Sequence, residues 1–448
     1  MKRKLNGYQS FLDNRKRLKL EAGFDPVWMP SWLFGFQQYL VNWALRQGRA
    51  AILADCGLGK GPIQLVCAMN VIQHTNRPVL IVAPLAVTRQ FVHEGEKFGI
   101  EVNRTSDGKL KRGVVNVTNY ERLDRYDPAK IACLCCDESG VLKHFDTKTR
   151  KQVTSFMQEI PNRFLGTATP APNDFVELGS SAEALGVMKN SQMLGRFFSH
   201  CGDESSRWEL KGHAKQAYWR WVAKWARAMR KPSDFGFDDD GFILPDLHIN
   251  HHVVPAACEY PGFFPVAIGL DEQRKEKRKS LSSRCEKVAE LVPSDRPAVV
   301  WCHLNDESDY LEKIIPDAVQ VRGNQSDEIK EERLTGFSDG EIRVLITKAK
   351  IGGWGLNWQH CSDVFCFSSH SYEAFYQTVR RCWRFGQARE VNVNLVYTEA
   401  EGSVVENMLQ KERRSSELFD GIIREMHGYQ IEKTEDGSID EMEIPQWV

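Results

Sequence analysis

Short apolar runs separated by helix-sized amphipathic stretches set the strongest limit on what this chain can fold into. Residues 51–54, 79–83, 114–117, 131–136 and 164–166 form one series, and 298–302, 319–321, 344–347, 364–367 and 391–396 form a second. Short, mostly apolar runs suit strands buried on both faces, and parallel strands need crossover helices between them. The rhythm therefore predicts an α/β fold with two parallel sheets in tandem. It lapses between Ser180 and Pro245, where the pattern reads as mostly helical and ends in the acidic turn Asp238-Asp239-Asp240-Gly241. At 448 residues the chain is long enough for two lobes and an insertion. The expected organisation is a basic N-terminal segment over 1–30, a first lobe over 31–185 and a helical insertion over 186–247. A second lobe over 248–425 and a polar tail over 426–448 complete it, with one or two charged helices after Gly402.

A net charge of -1 says nothing about a nucleic-acid partner, so that question falls to local charge. No apolar stretch approaches the roughly 18 residues that a membrane helix needs, and Met1-Lys2-Arg3-Lys4-Leu5-Asn6 does not open a secretory signal. Cys133 and Cys136 have CxxC spacing, but they lie in an apolar run that reads as a buried strand, and no second CxxC pair completes a zinc site. Scattered reduced cysteines suit a cytoplasmic compartment.

The first run leads into Asp55-Cys56-Gly57-Leu58-Gly59-Lys60. Glycines in such a turn let backbone N–H groups point inward around a phosphate, and a helix starting after it aims its positive end at the same place. Pro62 suits the first turn of that helix. Lys60 would reach the β and γ phosphates. A plain strand–helix turn shares some of these features, but here a strand precedes it and a helix-like run follows. The residue after the lysine is Gly61, where Ser or Thr would offer a hydroxyl to Mg²⁺, so a water is expected to take that place. Nucleotide binding should survive this better than hydrolysis rate.

The run at 131–136 ends in Asp137-Glu138. Metal-assisted phosphoryl transfer uses such a pair, Asp137 holding Mg²⁺ through water and Glu138 orienting the attacking water. Alone, the pair would more often be a solvated turn.

With these motifs the chain resembles the superfamily 2 helicases, specifically the Swi/Snf-type translocases in the compact form carried by bacteriophages and prophages. The resemblance spans about Gly23 to Leu418, with the motifs in the family's order. Phe36-Gln37 resembles the adenine-contacting segment, with Gln37 as base reader. Pro84 with Gln90, and Thr118-Asn119-Tyr120, resemble strand-contacting motifs. Thr167-Ala168-Thr169-Pro170 is similar to the lobe-coupling segment, with Ala168 and Pro172 where Gly and Gln are usual. Gly355 and Asn357 belong to a glycine-rich nucleotide motif, preceded here by Lys348-Ala349 instead of Ser-Thr. Gln377, Arg381, Arg384, Gly386 and Gln387 match the final motif. The resemblance implies two RecA-like lobes, ATP and Mg²⁺ as cofactors, and duplex DNA as partner, with any other chemistry coming from a protein partner. If Arg381 and Arg384 lie on a helix, their spacing puts both guanidinium forks on one face, suited to a phosphoryl group.

Arg220, Lys224, Arg227 and Lys231 fall at helical spacing and predict a basic face for phosphates, against the alternative of a solvated face. Tyr218, Val222, Trp225 and Met229 read as the core side of the same helix. The basic residues before Leu20 are a second candidate. His248, His251 and His252 read as strand residues rather than a metal cluster, and 271–284 as an exposed helix. The expectation is thus an ATP-driven duplex DNA translocase. A helicase-shaped scaffold with poor turnover and an RNA motor stay open as alternatives.

Overall fold

The structure, a computed structural model, describes residues 22–143, 148–171, 173–200, 208–255, 277–352, 357–369 and 371–435, and the side chains as far as residue 426. The basic residues before Leu20, Pro172, Gly355 and the end of the polar tail lie outside the described residues. Two compact units divide the chain: residues 1–239 with 414–448, and residues 240–413.

The first unit runs α1 (Gly35–Gln47), β1 (Arg49–Ala54), α2 (Lys60–Thr75), β2 (Val79–Ala83), α3 (Leu85–Phe98), β3 (Val102–Arg104), β4 (Val115–Asn119), β5 (Cys133–Asp137), α4 (Lys148–Gln158) and β6 (Asn162–Gly166). It continues with α5 (Leu178–Leu185), α6 (Asn190–Phe197), β7 (Phe198–His200), β8 (Trp208–Leu210), α7 (Lys215–Ala223) and β9 (Ala226–Met229). Its main sheet has the order β3-β4-β2-β5-β6-β1-β9, with every pairing parallel. The strands β2, β4, β5 and β6 are buried at every position, including the polar side chains of β4 and β6. The cysteines of β5 share that burial, which pushes the thiols of Cys133 and Cys136 well above their ordinary range and keeps them protonated.

The stretch expected as a helical insertion is only partly helical. α7 stops at Ala223, and 226–229 becomes β9, the strand that covers the outer edge of β1. Ala51 N–H donates to Trp225 O and Asp55 N–H to Met229 O, both at 2.9 Å. Pairing the exposed edge of a buried strand outweighs the local helical spacing, because unpaired edge groups there would lose their hydrogen bonds. The basic stripe does not form as a consequence. Arg227 lies on β9 over the Trp43 ring at 4.3 Å, Arg220 pairs with Glu425 at 3.3 Å and Lys231 with Asp239 at 3.4 Å, while Lys224 is exposed. Tyr218, Val222, Trp225 and Met229 are buried as expected, although on a helix, a turn and a strand rather than one helix. Phe198–His200 and Trp208–Leu210 form a separate antiparallel pair.

The second unit runs β10 (Leu247–Val254), α8 (Leu281–Leu291), β11 (Ala298–Trp301), α9 (Asn305–Ile314), β12 (Ala318–Gln320), α10 (Asp327–Ser338), β13 (Val344–Thr347), α11 (Ala349–Gly352), β14 (Asp363–Phe367), α12 (Tyr372–Val379) and β15 (Val391–Thr398). Its sheet is again all parallel, ordered β10-β15-β14-β11-β13-β12. β10 carries His248, His251 and His252 as strand residues. His252 bonds Asn394 Oδ1 at 2.9 Å, and His248 meets the Glu390 carboxylate at 3.3 Å. The last described element is one long helix, α13 (Gly402–Glu435). Val404, Val405 and Met408 are buried near its start, and Leu418, Phe419 and Ile422 near its middle join the first unit's core.

Candidate active site

In an open parallel sheet, ligands bind beyond the carboxyl ends of the strands. In the first unit those ends carry the phosphate loop after β1 and the acid pair after β5, with only β6 between them. Gly57 (φ 90°) and Gly59 (φ 73°) adopt the left-handed conformation that the turn demands and that side chains disfavour. Gly59 is also the N-cap of α2, whose first turn carries no acidic side chain. The helix therefore presents its orphan N–H groups and positive dipole end without a carboxylate of its own to offset them. Lys60 Nζ donates to Ala54 O at 2.9 Å and Asp55 O at 3.3 Å, folding back over the strand end.

Gln37 braces this loop. It is buried, its Nε2 donates to Leu58 O at 3.1 Å, and its Oε1 accepts from Phe34 N–H at 3.1 Å. A Cβ on Gly59 would fall 2.3 Å from Gln37 Nε2, so the close approach needs glycine there. The amide expected to read adenine is thus engaged with the loop itself, and a base would have to compete with Leu58 O for it.

Asp137 ends β5 and is buried. Gln64 Nε2, from α2, donates to its Oδ1 at 2.7 Å, and Tyr120 OH donates to its backbone carbonyl at 2.7 Å. Burial, with the neighbouring Glu138 charge, pushes the Asp137 carboxyl up to about 7, against the opposing pull of Lys60 and the Gln64 bond. Lys60 and Asp137 therefore act on one another electrostatically within one site. Gly166, at the end of β6, leaves the room: a Cβ there would lie 2.8 Å from Gln64 Nε2. Glu138 takes a left-handed φ of 50°, unusual for a residue with a side chain, and is half-buried. Gln64 Oε1 is buried with no hydrogen-bond partner among the described residues. Oxygen donors grouped beside a lysine and a phosphate loop fit a hard divalent cation such as Mg²⁺.

Several residues expected to touch nucleic acid face inward instead. Thr118, Asn119 and Tyr120 are buried: Tyr126 OH bonds Thr118 Oγ1 at 3.2 Å, Asn119 Nδ2 donates to Glu121 at 2.5 Å, and Tyr120 holds the acid motif. Full burial on β4 is what ties up these side chains, so any strand contact there falls to the backbone. Gln90, on α3, donates to Glu94 Oε1 at 2.7 Å, and Pro84 is the N-cap of the same helix.

In the second unit the final motif begins on α12 with Gln377 and then leaves the helix. α12 ends at Val379, and 380–387 form a chain of turns in which Trp383 N–H reaches Val379 O and Gln387 N–H reaches Arg384 O, both at 2.9 Å. Arg381 and Arg384 therefore share no helix face, which corrects the expectation from their spacing. Arg381 is buried, with Nη2 donating to Gln377 Oε1 at 2.8 Å and its carbonyl accepting from Trp358 N–H at 2.9 Å. Arg384 is half-buried, and Asn357 is exposed. Gln377 is buried beneath Arg381. Gln387 is held by Cys361 O and Cys382 O at 3.0 and 3.1 Å, which pins the end of the turns.

Sequence reasoning missed Gln64 and Glu94. Gln64 lies three residues after Gly61 and so shares its face of α2, a signal that helical spacing alone offered. Glu94 shares a face of α3 with Gln90, but no pattern in the sequence pointed that face at Gly61.

Residues 283–386 match the helicase conserved C-terminal domain family. No curated protein sequence matches the chain. Among solved structures, the Sulfolobus solfataricus SWI2/SNF2 ATPase core in complex with double-stranded DNA is similar at 16% identity, covering 88% of this chain and 96% of that one, with a loose TM-score of 0.43. An S. cerevisiae Dbp5 variant bound to a Gle1 variant and IP6 is similar at TM-score 0.53 and 11% identity, covering 84% of this chain and 85% of that one. Together with the two all-parallel sheets, the latter similarity gives the fold as tandem RecA-like lobes.

Proposed function

We propose that the chain is an ATP-hydrolysing nucleic-acid motor of the superfamily 2 helicase kind, working as a translocase on duplex DNA. The observation that carries the reading is the first unit's site. A glycine turn with Lys60 at a helix start faces the buried Asp137 and the half-buried Glu138, in a chain whose second lobe matches a helicase domain.

In this reading Gly57, Leu58 and Gly59 offer backbone N–H groups to the β and γ phosphates, and the Lys60 ammonium exchanges its two carbonyl partners for phosphate oxygens. Asp137 holds the cation side of the site, and Glu138 orients the attacking water and accepts its proton at a carboxylate oxygen. Mg²⁺, held on the Asp137 side, would offset the charge of the phosphate oxygens. The remaining assignments follow from the motif resemblance. Gln377, Gly355 and Asn357 serve the nucleotide, and Arg381 and Arg384 act on the γ-phosphate. Half-buried Arg384 is the more available of the two, because Arg381 is held by Gln377. Duplex DNA also follows from the resemblance to Swi/Snf-type motifs.

Gly61 favours a second reading, a helicase-shaped scaffold that binds nucleotide and turns over poorly. Phosphate release by the unaltered chain with duplex DNA, single strands and RNA, at one salt concentration, separates these outcomes. Duplex DNA should stimulate it most. Stimulation by RNA alone would replace the DNA reading, and no stimulated turnover would leave the scaffold.

A further inference from the structure

The missing hydroxyl at position 61 leaves a space, and the structure fills it. A Cβ built on Gly61 would fall 1.9 Å from Glu94 Oε2, 2.8 Å from its Cδ and 3.1 Å from Oε1. The carboxylate of Glu94 thus occupies the point from which a serine or threonine side chain would leave α2. Its position has two supports. Gln90, one turn earlier on α3, donates to Glu94 Oε1 at 2.7 Å. Gly95, next in sequence, lets α3 approach its neighbours, since a Cβ there would meet Ile100 O and Val102 Cγ2 at 2.5 Å each.

Two further observations tie Glu94 to the acid side of the site. Its charge is one of those acting on Asp137. Gln64, on the same α2 face as Gly61, is buried and bonded to Asp137 through Nε2, while its Oε1 has no hydrogen-bond partner among the described residues. The Asp137 carboxylate fixes which end of that amide is nitrogen, so the unsatisfied atom is an oxygen. A buried acceptor left unpaired is costly unless something positive meets it. A cation meets the need of every one of these groups.

We infer that Glu94 is a divalent-cation ligand of this site, taking over with Asp137 the metal-holding task that a hydroxyl at position 61 would perform. The inference rests on the nucleotide reading above. A carboxylate is a hard oxygen donor like a hydroxyl but carries a full charge. Glu94 should therefore strengthen cation binding while opposing polyphosphate in the cation's absence. Gly61 and Glu94 form a complementary pair: a side chain at 61 is tolerated only when the flexible Glu94 carboxylate swings away.

The test measures two quantities on the full-length chain: affinity for ATP without metal, and affinity for Mn²⁺ with saturating ADP, free Mn²⁺ being counted by its EPR signal. Glu94→Gln should weaken Mn²⁺ binding by about tenfold or more, while metal-free ATP binds as well as or better than to the unaltered chain, because a negative charge has left the phosphate site. Gly61→Thr should also weaken Mn²⁺ by displacing Glu94. Gly61→Thr combined with Glu94→Ala should recover most of the loss, the threonine hydroxyl entering the vacated space. Mn²⁺ affinity within about twofold of the unaltered chain in Glu94→Gln would overturn the inference, and so would a double variant no better than Gly61→Thr. Loss of metal-free ATP binding in Glu94→Gln would also overturn it, by making Glu94 a brace for the loop. If the unaltered chain bound no ATP at all, the nucleotide reading itself would fall, and this inference with it.

Discussion

Two helix starts at the carboxyl ends of the two sheets differ in one respect that assigns the phosphate. α2 follows β1 through Gly57 and Gly59, and its first turn carries no acidic side chain. α9 follows β11, and its third residue, Glu307, accepts from His303 N–H and Leu304 N–H at 2.9 Å each through one carboxylate oxygen. The other oxygen receives Arg284 Nη1 at 2.9 Å, and both side chains are completely buried. Both termini carry the dipole that attracts anions. In the second unit the helix supplies an anion from its own first turn, fixed by a buried arginine, whereas the first turn of α2 supplies none. Pro62 holds the same third place in α2 that Glu307 holds in α9.

The largest effect is expected at the chemical step. Glu138→Gln should lower nucleic-acid-stimulated turnover by about 10³-fold while equilibrium ATP binding persists. A variant that lost both together would mean Glu138 serves the loop's conformation instead. Next in size is the filled terminus. Glu307→Ala strands Arg284 in the core and should destabilise the second unit by about 3–5 kcal/mol, read as an earlier urea transition, with ATP affinity unaltered. A shift below about 1 kcal/mol would remove the contrast between the two helix starts.

Transplanting the feature gives a moderate effect. Pro62→Glu should weaken ATP binding about tenfold relative to Pro62→Gln, the size of a well-placed charge at a helix terminus. The neutral variant controls for the loss of proline, and equal affinities in the two would show that the dipole end is not where phosphate binds. Smallest is Tyr120→Phe, which removes the hydroxyl donating to the Asp137 carbonyl. It should cost about 1 kcal/mol of stability by denaturant titration, and no loss at all would mean that water replaces the bond.

Much of the fold was legible because buried parallel strands are predominantly apolar, even where single polar residues such as Asn116 and Asn162 are buried among them. Each run in the two series became a strand, within a residue or two at its ends. The glycine turn and the Asp137-Glu138 pair, which the fold places at nearby strand ends, stood out because each is compressed into a few adjacent residues. What failed depended on partners distant in sequence. Residues 226–229 carry helical spacing yet pair with β1, since an uncovered strand edge outweighs propensity. Arg381 and Arg384 seemed to share a helix face, but α12 stops at Val379 with neither proline nor glycine to mark the end. Thr118, Asn119 and Tyr120 resembled a strand-contacting motif, and they are buried and bonded internally. The meeting of Gly61 with Glu94 joins two helices through one empty Cβ position, and a sequence carries no mark of that.

The most direct test of the account is the stoichiometry of ATP binding by calorimetry on the full-length chain and on Lys60→Ala. One ATP per chain, lost when Lys60 is replaced, is the predicted result. Two sites per chain, or binding that survives without Lys60, would contradict the assignment of the phosphate to the first helix start.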